Sequence, residues 1–288
     1  MSGGDILLQG QAEVMGNMRA NGRIVFGGAS DQKESPNVHN GGRLLTATEL
    51  EIQSTIKVAD SDQEVRSAGD IVNARKISGT SKVYEDDDSK YTRKLDTDGS
   101  LTPPRDGEAI PNPDPATLLA SGAYVTHTET LIDNGNKLDL AGGVHYFPNG
   151  VRFEKGSSLL GRDTIVVGNG HDAVFKTSLG SNSTPAVVNV LALDGHQGRG
   201  TGGNIIFETG TFLQGLIYAH GNVEFNANWR VRGSVITYRG NVDAKANVHF
   251  ILDRLPVRVA GFETWLLGAS AMGGPVLLEP LSWQDGAK

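Results

Sequence analysis

The chain has 288 residues with 38 Gly, 11 Pro, no Cys and 6% aromatics, and 26 Lys+Arg against 33 Asp+Glu leave a net charge of -7. Glycine at about twice its usual share disfavours a helical bundle, and the lack of a Gly-X-Y period excludes collagen. Zero cysteines exclude disulfides, thiolate metal sites and cysteine nucleophiles. No run reaches the ~18 apolar residues of a membrane span. The opening Met1-Ser2-Gly3-Gly4-Asp5 lacks the charged-then-apolar layout of a signal peptide, so the sequence reads as cytosolic or as a soluble fragment.

From Gly4 the chain reads GDILLQGQAEVMGNMRAN, with Gly16 twelve positions on and Gly22 opening the next copy after 18. Short alternating runs broken by Gly and Gly-Asn suit strands joined by tight turns, which predicts a first solenoid rung within residues 1–30. Residues 31–115 carry the acidity, with 17 acids against 11 bases. Glu85-Asp86-Asp87-Asp88, Asp96-Thr97-Asp98-Gly99 and the prolines from Pro103 to Pro115 predict an extended, acidic insertion or side extension. The alternation from Leu44 to Val58 within it gives two or three strands. Asp96 and Asp98 are a weak calcium candidate: loop position 12 holds Gly107 where the motif needs Glu, so a solvated turn is the plainer reading and no cofactor is expected.

Residues 116–260 carry the main repeat. A looser copy spans Gly150 to Gly168, and from Gly203 the leading Gly-Asn recurs at Gly221 and Gly240, after 18 and then 19 residues. No helical period of useful length intervenes. The fold class is therefore all-β, a parallel β-solenoid with rungs of about 18 residues. Parity sends Val223, Phe225, Ala227, Trp229, Val231, Gly233 and Val235 inward, leaving Glu224, Asn226, Asn228, Arg230, Arg232 and Tyr238 outside. Counting by rung places Phe212, Arg230 and His249 in one outer column, with Gln214 beside Arg232 and His220 beside Tyr238. From Gly261 the repeat is lost, and Phe262, Trp265, Leu266, Leu267 and Trp283 suit a cap over residues 261–288.

Several chemical motifs weaken in context. Gly168-Asn169-Gly170-His171-Asp172-Ala173 follows a strand-like run but opens no helix, as a dinucleotide site requires. The seven histidines form neither HxxxH nor HExxH and are expected at surface or turn positions. Glu224 and Asp243 stack on adjacent rungs about 4.8 Å apart, without a nearby base. By contrast, residues 229–258 hold Arg230, Arg232, Arg239, Lys245, Arg254 and Arg258 against two acids, Asp243 and Asp253. Cations beside Tyr218, Tyr238 or Phe212 suit phosphates and stacked bases.

The segment GNIIFETGTFLQGLIYAHGNVEFNANWRVRGSVITYRGNVDAKANVHFILD, with HYFPNGVRFEKGSSLLGRDTIVVGN before it and Leu281-Ser282-Trp283 after, resembles the carboxyl-terminal β-solenoid of large type IV pilin-like proteins. These include minor pilins, pilus-assembly proteins and competence-pilus DNA receptors. The resemblance covers His145 to Trp283 and weakly the first rung, and its marker is Gly215-Leu216-Ile217-Tyr218-Ala219 before Gly221-Asn222. It implies a non-enzymatic module at the cell surface, a fragment without its membrane helix. Its partners would be DNA, bound through Arg230, Arg232, Arg239 and Lys245 with Tyr238, His249 and Phe212, and other pilins; no small-molecule substrate is implied. A self-assembling bactofilin-like solenoid and a carbohydrate-binding or carbohydrate-active β-helix are the alternatives.

Overall fold

The structure is a computed structural model, and it describes residues 1–10, 12–15, 17–27, 37–39, 44–53, 56–58, 64–78, 82–89, 92–94, 110, 113, 115–120, 124–140, 143–181, 185–193 and 202–251. The glycine-punctuated repeat forms a parallel β-solenoid with three-sided coils. The chain begins with β1 (Ile6–Leu8), β2 (Ala12–Met15) and β3 (Met18–Ala20), then β4 (Ile24–Phe26), β5 (Asn37–His39) and β6 (Leu44–Thr46). Next come β7 (Leu50–Ile52), β8 (Ile56–Val58) and β9 (Glu64–Ser67), then β10 (Ile71–Val72), β11 (Ile77–Ser78) and β12 (Lys82–Tyr84). A helix, α1 (Pro115–Ala120), precedes β13 (Tyr124–Thr126), β14 (Leu131–Ile132), β15 (Lys137–Asp139) and β16 (Val144–Phe147). The series continues with β17 (Val151–Phe153), β18 (Ser158–Leu160), β19 (Arg162–Val167), β20 (Ala173–Phe175) and β21 (Ala186–Ala192). It ends with β22 (Ile205–Phe207), β23 (Thr211–Ala219), β24 (Val223–Phe225), β25 (Trp229–Thr237), β26 (Val242–Ala244) and β27 (Val248–Ile251).

Order along the stack differs from order along the chain. The first face is a ten-stranded sheet running β10-β7-β4-β1-β26-β24-β22-β20-β17-β14. The chain therefore enters in the middle and winds outward to β12. It resumes at the opposite end with β13 and winds back until β26 meets β1. The second face runs β11-β8-β5-β2-β27-β25 and onward through β23. The third runs β12-β9-β6-β3 and continues through Ser2, which bridges Ala20 on one side and Thr237, at the end of β25, on the other. The long strands β23 and β25 thus cover both second and third faces, turning the corner at Gly215 and Gly233. Gly233 has φ 137°, and a Cβ there would lie 2.1 Å from the carbonyl oxygen of Gly215, so no other residue fits that corner without moving the coil below.

Residues 37–84, expected within an insertion outside the stack, instead supply eight strands to it. The 18-residue period hides them because their corners are longer. Register partners on the first face, Ile6, Ile24, Leu50 and Ile71, are separated by 18, 26 and 21 residues. Acidic and polar residues occupy the extra length, while Leu44, Leu50, Ile52, Val65 and Ile71 remain buried. The acidic segment leaves the coils only after β12, and its remaining described residues run outside them. The cap expected over residues 261–288 lies outside the described residues.

The core is an aromatic column. Phe153, Phe175, Phe207 and Phe225 stack face to face with centroids 5.0, 5.1 and 5.2 Å apart, the coil repeat itself. The next positions in register are Ala244, Leu8 and Phe26. The volume missing at Ala244 is filled from the second face, where Trp229 and Phe250 turn against Phe225. At one corner, amide and carboxyl side chains tie each coil to the next. Asp172, Asn204, Asn222, Asn241 and Asp5 each accept the backbone N–H of the coil above through Oδ1, at 2.7–2.9 Å.

The third face is apolar on its outer side as well. Tyr146, Val166, Leu191, Tyr218 and Ile236 form one outward column in register. Ile110, which precedes α1, and Leu118 within it join Val166, Leu191, Leu193, Leu216, Tyr218, Ile236 and Tyr238 in a second buried cluster. Ile110 and α1 thus hold the segment between β12 and β13, the strap, against this face. Ten strand spacings of about 4.8 Å, about 48 Å in all, separate the ends of the second-face sheet.

At the strap's lower end His145 points into the core. Its Nδ1 lies 2.9 Å from His127 Nε2, and His127 in turn meets Glu129 through Nδ1 at 2.9 Å and stacks on Phe147. His145 Nε2 is buried and has no hydrogen-bond partner. Burial first, and the neighbouring His127 second, lower the His145 pKa from 6.5 against the pull of Asp163 and Asp139. Below about pH 6.5 the unfolded chain therefore takes up a proton that the folded chain resists, and stability falls with pH. Urea midpoints of the parent should drop between pH 7.5 and 5.5 by more than those of His145→Leu; equal drops would contradict this.

Truncating the column should be the costliest single change. Phe207→Ala is expected to lose about 3–5 kcal/mol in urea unfolding, whereas Asn222→Ala, which removes one ladder acceptor, should lose about 1 kcal/mol.

Candidate nucleic-acid interface

Outward positions on the second face are fixed by their neighbours. Trp229 and Val231 of β25 are buried, so Arg230 and Arg232 between and beyond them face outward. Register sets Arg230 between Phe212 and His249, and Arg232 between Gln214 and Ile251, as the rung count predicted. The Arg230 guanidinium carbon lies 5.8 Å from the Phe212 ring centroid, within cation–π range. The two arginines are two residues apart on one strand, about 6.7 Å. Both stay partly exposed, as do Phe212, Gln214 and His249.

The other predicted cations stand elsewhere. Lys245 follows β26 on the first face, where its Nζ sits 3.0 Å from Glu224 Oε2 and 3.8 Å from Asp243 Oδ2. The hydrogen bond to Glu224 holds the Lys245 pKa above its ordinary value, so its charge is spent on the two acids. Arg239 lies past the third face at the opposite corner, its guanidinium carbon 5.6 Å from the Tyr238 ring. Tyr238 itself is buried in the strap-covered cluster, beside His220 at 5.0 Å between centroids. The predicted set of Arg230, Arg232, Arg239, Lys245, Tyr238, His249 and Phe212 is therefore three separate groups. Only Arg230, Arg232, Phe212 and His249 share a surface.

One cation missing from the predicted set does join it. Arg162 is exposed and falls on the column of Val187, Gln214 and Arg232. It starts β19 directly after Gly161, whose φ of 79° makes the corner. The looser copy from Gly150 held that signal, because its inner glycine falls one position before an arginine.

Glu224 and Asp243 are register partners, as expected. Burial, with Glu224 nearby, raises the Asp243 carboxyl above its usual value despite Lys245, and Gln9 Nε2 donates to its Oδ1 at 3.1 Å. A lysine clamped between them makes this a local ion cluster. The histidines were expected on the surface, but His145 and His220 are buried, because both take inward or strap-covered positions of the third face. No group of three or more metal-ligating side chains occurs among the described residues, and Asp96 and Asp98 lie outside them.

No family model matches the chain, and neither a curated protein nor a solved structure is significantly similar to it.

Proposed function

We propose that the chain is a non-enzymatic recognition module of the pilin-like kind, displayed at the cell surface and binding DNA through the second face of its solenoid. The observation that supports this reading is the single wall formed by Arg230, Arg232 and Arg162 with Phe212 and His249. A parallel stack holds these side chains at fixed intervals of about 4.8 Å across strands and about 6.7 Å along them. Such a wall meets a regular backbone of phosphates at little ordering cost. The net charge of -7 does not oppose it, since the acids concentrate in residues 31–115.

The size of the wall limits its strength. Two or three phosphate contacts correspond to a slope of log K against log salt of about -2 to -3, and to affinities in the non-specific range of about 10⁻⁴–10⁻⁶ M. The second reading, end-to-end self-assembly, draws on a different observation. Among the described residues, strands β13 and β14 have no further neighbour on one end of the stack and leave Tyr124, Val125 and Leu131 about half exposed. Filaments in electron micrographs of concentrated protein, abolished by Val125→Lys, are what that reading expects.

Fluorescence anisotropy of a labelled duplex at low salt tests the first reading. Retention by the parent, a loss of at least tenfold in Arg230→Glu/Arg232→Glu, and little change in Lys245→Glu are expected. A parent that fails to bind at tens of micromolar, or a double mutant that binds equally well, would overturn it.

A further inference from the structure

The interface between the first coil and the last described coil joins residues more than 230 positions apart. β1 pairs with β26 through Ile6–Val242, Leu7–Asp243 and Leu8–Ala244, and β2 pairs with β27 from Ala12–Val248 to Met15–Ile251. On the third face Ser2 Oγ meets Thr237 Oγ1 at 2.9 Å and the Gly3 N–H donates to the Thr237 carbonyl at 2.9 Å. The corner ladder crosses without a break, from Asn222 to Asn241 to Asp5 to Arg23. The strand pairings and the corner ladder repeat those that join neighbouring coils within either half. The junction is an ordinary coil-to-coil interface whose two sides are connected covalently only through the strap.

The strap itself divides with the halves. Arg66 holds Asp87 at 2.8 Å and Arg19 donates to the Arg93 carbonyl at 3.0 Å, which fastens its first part to residues 1–84. Ile110 and Leu118 fasten its second part to Val166, Leu191 and Tyr218 of the other half. Between Arg93 and Ile110 the chain has a contour reach of about 55 Å.

We propose that the junction is exchangeable between molecules: the N-terminal coils of one copy seat on the C-terminal coils of a second copy, and reciprocally, giving a closed dimer with two-fold symmetry. The partner surface is the edge formed by β26, β27 and the end of β25, and its ligand is the edge formed by Ser2, β1 and β2. Every junction contact is conserved in the exchange, so the balance between monomer and dimer rests on concentration against the effective concentration set by the strap, typically millimolar. Monomer prevails at low micromolar concentration, and dimer is trapped on refolding at high concentration, since reopening it breaks two strand pairings and the Ser2–Thr237 bridge at once.

The absence of cysteine makes the test clean. Leu7 and Asp243 are register partners across the junction, neither is in the buried core, and neighbouring parallel strands fall within the Cα separation a disulfide accepts. The full chain carrying Leu7→Cys and Asp243→Cys is unfolded in urea, refolded at 2 and at 200 µM, oxidised, and analysed by non-reducing electrophoresis and light scattering. At 2 µM the crosslink should form within the monomer. At 200 µM a tenth or more should be a covalent dimer that persists on dilution. Monomer alone at both concentrations, a ladder of larger species in place of a dimer, or no crosslink at either concentration would each overturn the proposal. Gly10→Val added to the cysteine pair is the control. Its Cβ would fall 2.5 Å from the carbonyl carbon of Ala246, so it should abolish crosslinks in both forms, and a surviving dimer band would mean random linkage and sink the idea.

Discussion

Each coil depends on its neighbours for its backbone hydrogen bonds. Strands of three residues have no stability of their own, and their N–H and C=O groups are satisfied only when the coils above and below present the complementary row in register. From that requirement the rest follows. The interior must repeat the same volume at the same position, which the phenylalanine column does. The corners must repeat too, and the Asp/Asn ladder from Asp172 to Asp5 fixes where each coil begins. A slip by one residue at any coil would send its apolar set to the surface. Where the column is broken by Ala244, the neighbouring face supplies Trp229 and Phe250, so the volume is kept although the residue type is not.

The same requirement explains what could be read from the residues alone. Period and parity act locally, so β22 to β27 were legible to the residue, including the Phe212–Arg230–His249 column. The copies at Gly4 and at Gly240 matched because they are adjacent coils, separated by nearly the whole chain. Two features escaped. Parity separates inside from outside but does not say which of three faces an outer residue occupies, so Lys245 and Arg239 were grouped with Arg230 although corners intervene. Parity also equates outside with solvent, which fails on the third face, where Tyr218 and Tyr238 point outward and are nevertheless buried. The coils between Ile24 and Ile71 escaped for a simpler reason: inserted corner residues change the spacing while leaving every buried position in place.

The strap reconciles these observations. A chain that starts mid-stack must cross from one end to the other, and the shortest path lies along one face. That face has to become apolar on its outer side to hold the crossing segment, which the column from Tyr146 to Ile236 accomplishes. The acidic run Glu85-Asp86-Asp87-Asp88 belongs to the same crossing segment as Ile110 and Leu118. Tyr218, sealed under this cover, has its phenol pKa pushed well above the ordinary value by burial.

The division of labour among faces follows from the crossing. The third face is committed to the strap, and the first face is occupied by paired charges such as Lys176 with Glu154 and Lys245 with Glu224. The second face is left with its cations beside aromatic and amide neighbours. A surface for recognition requires both rigidity and charge not already answered by its own strand neighbours. Rigidity is common to all three faces, because all share one core. What differs is the register: on the second face the column neighbours of Arg162, Arg230 and Arg232 are Val187, Phe212 with His249, and Gln214 with Ile251.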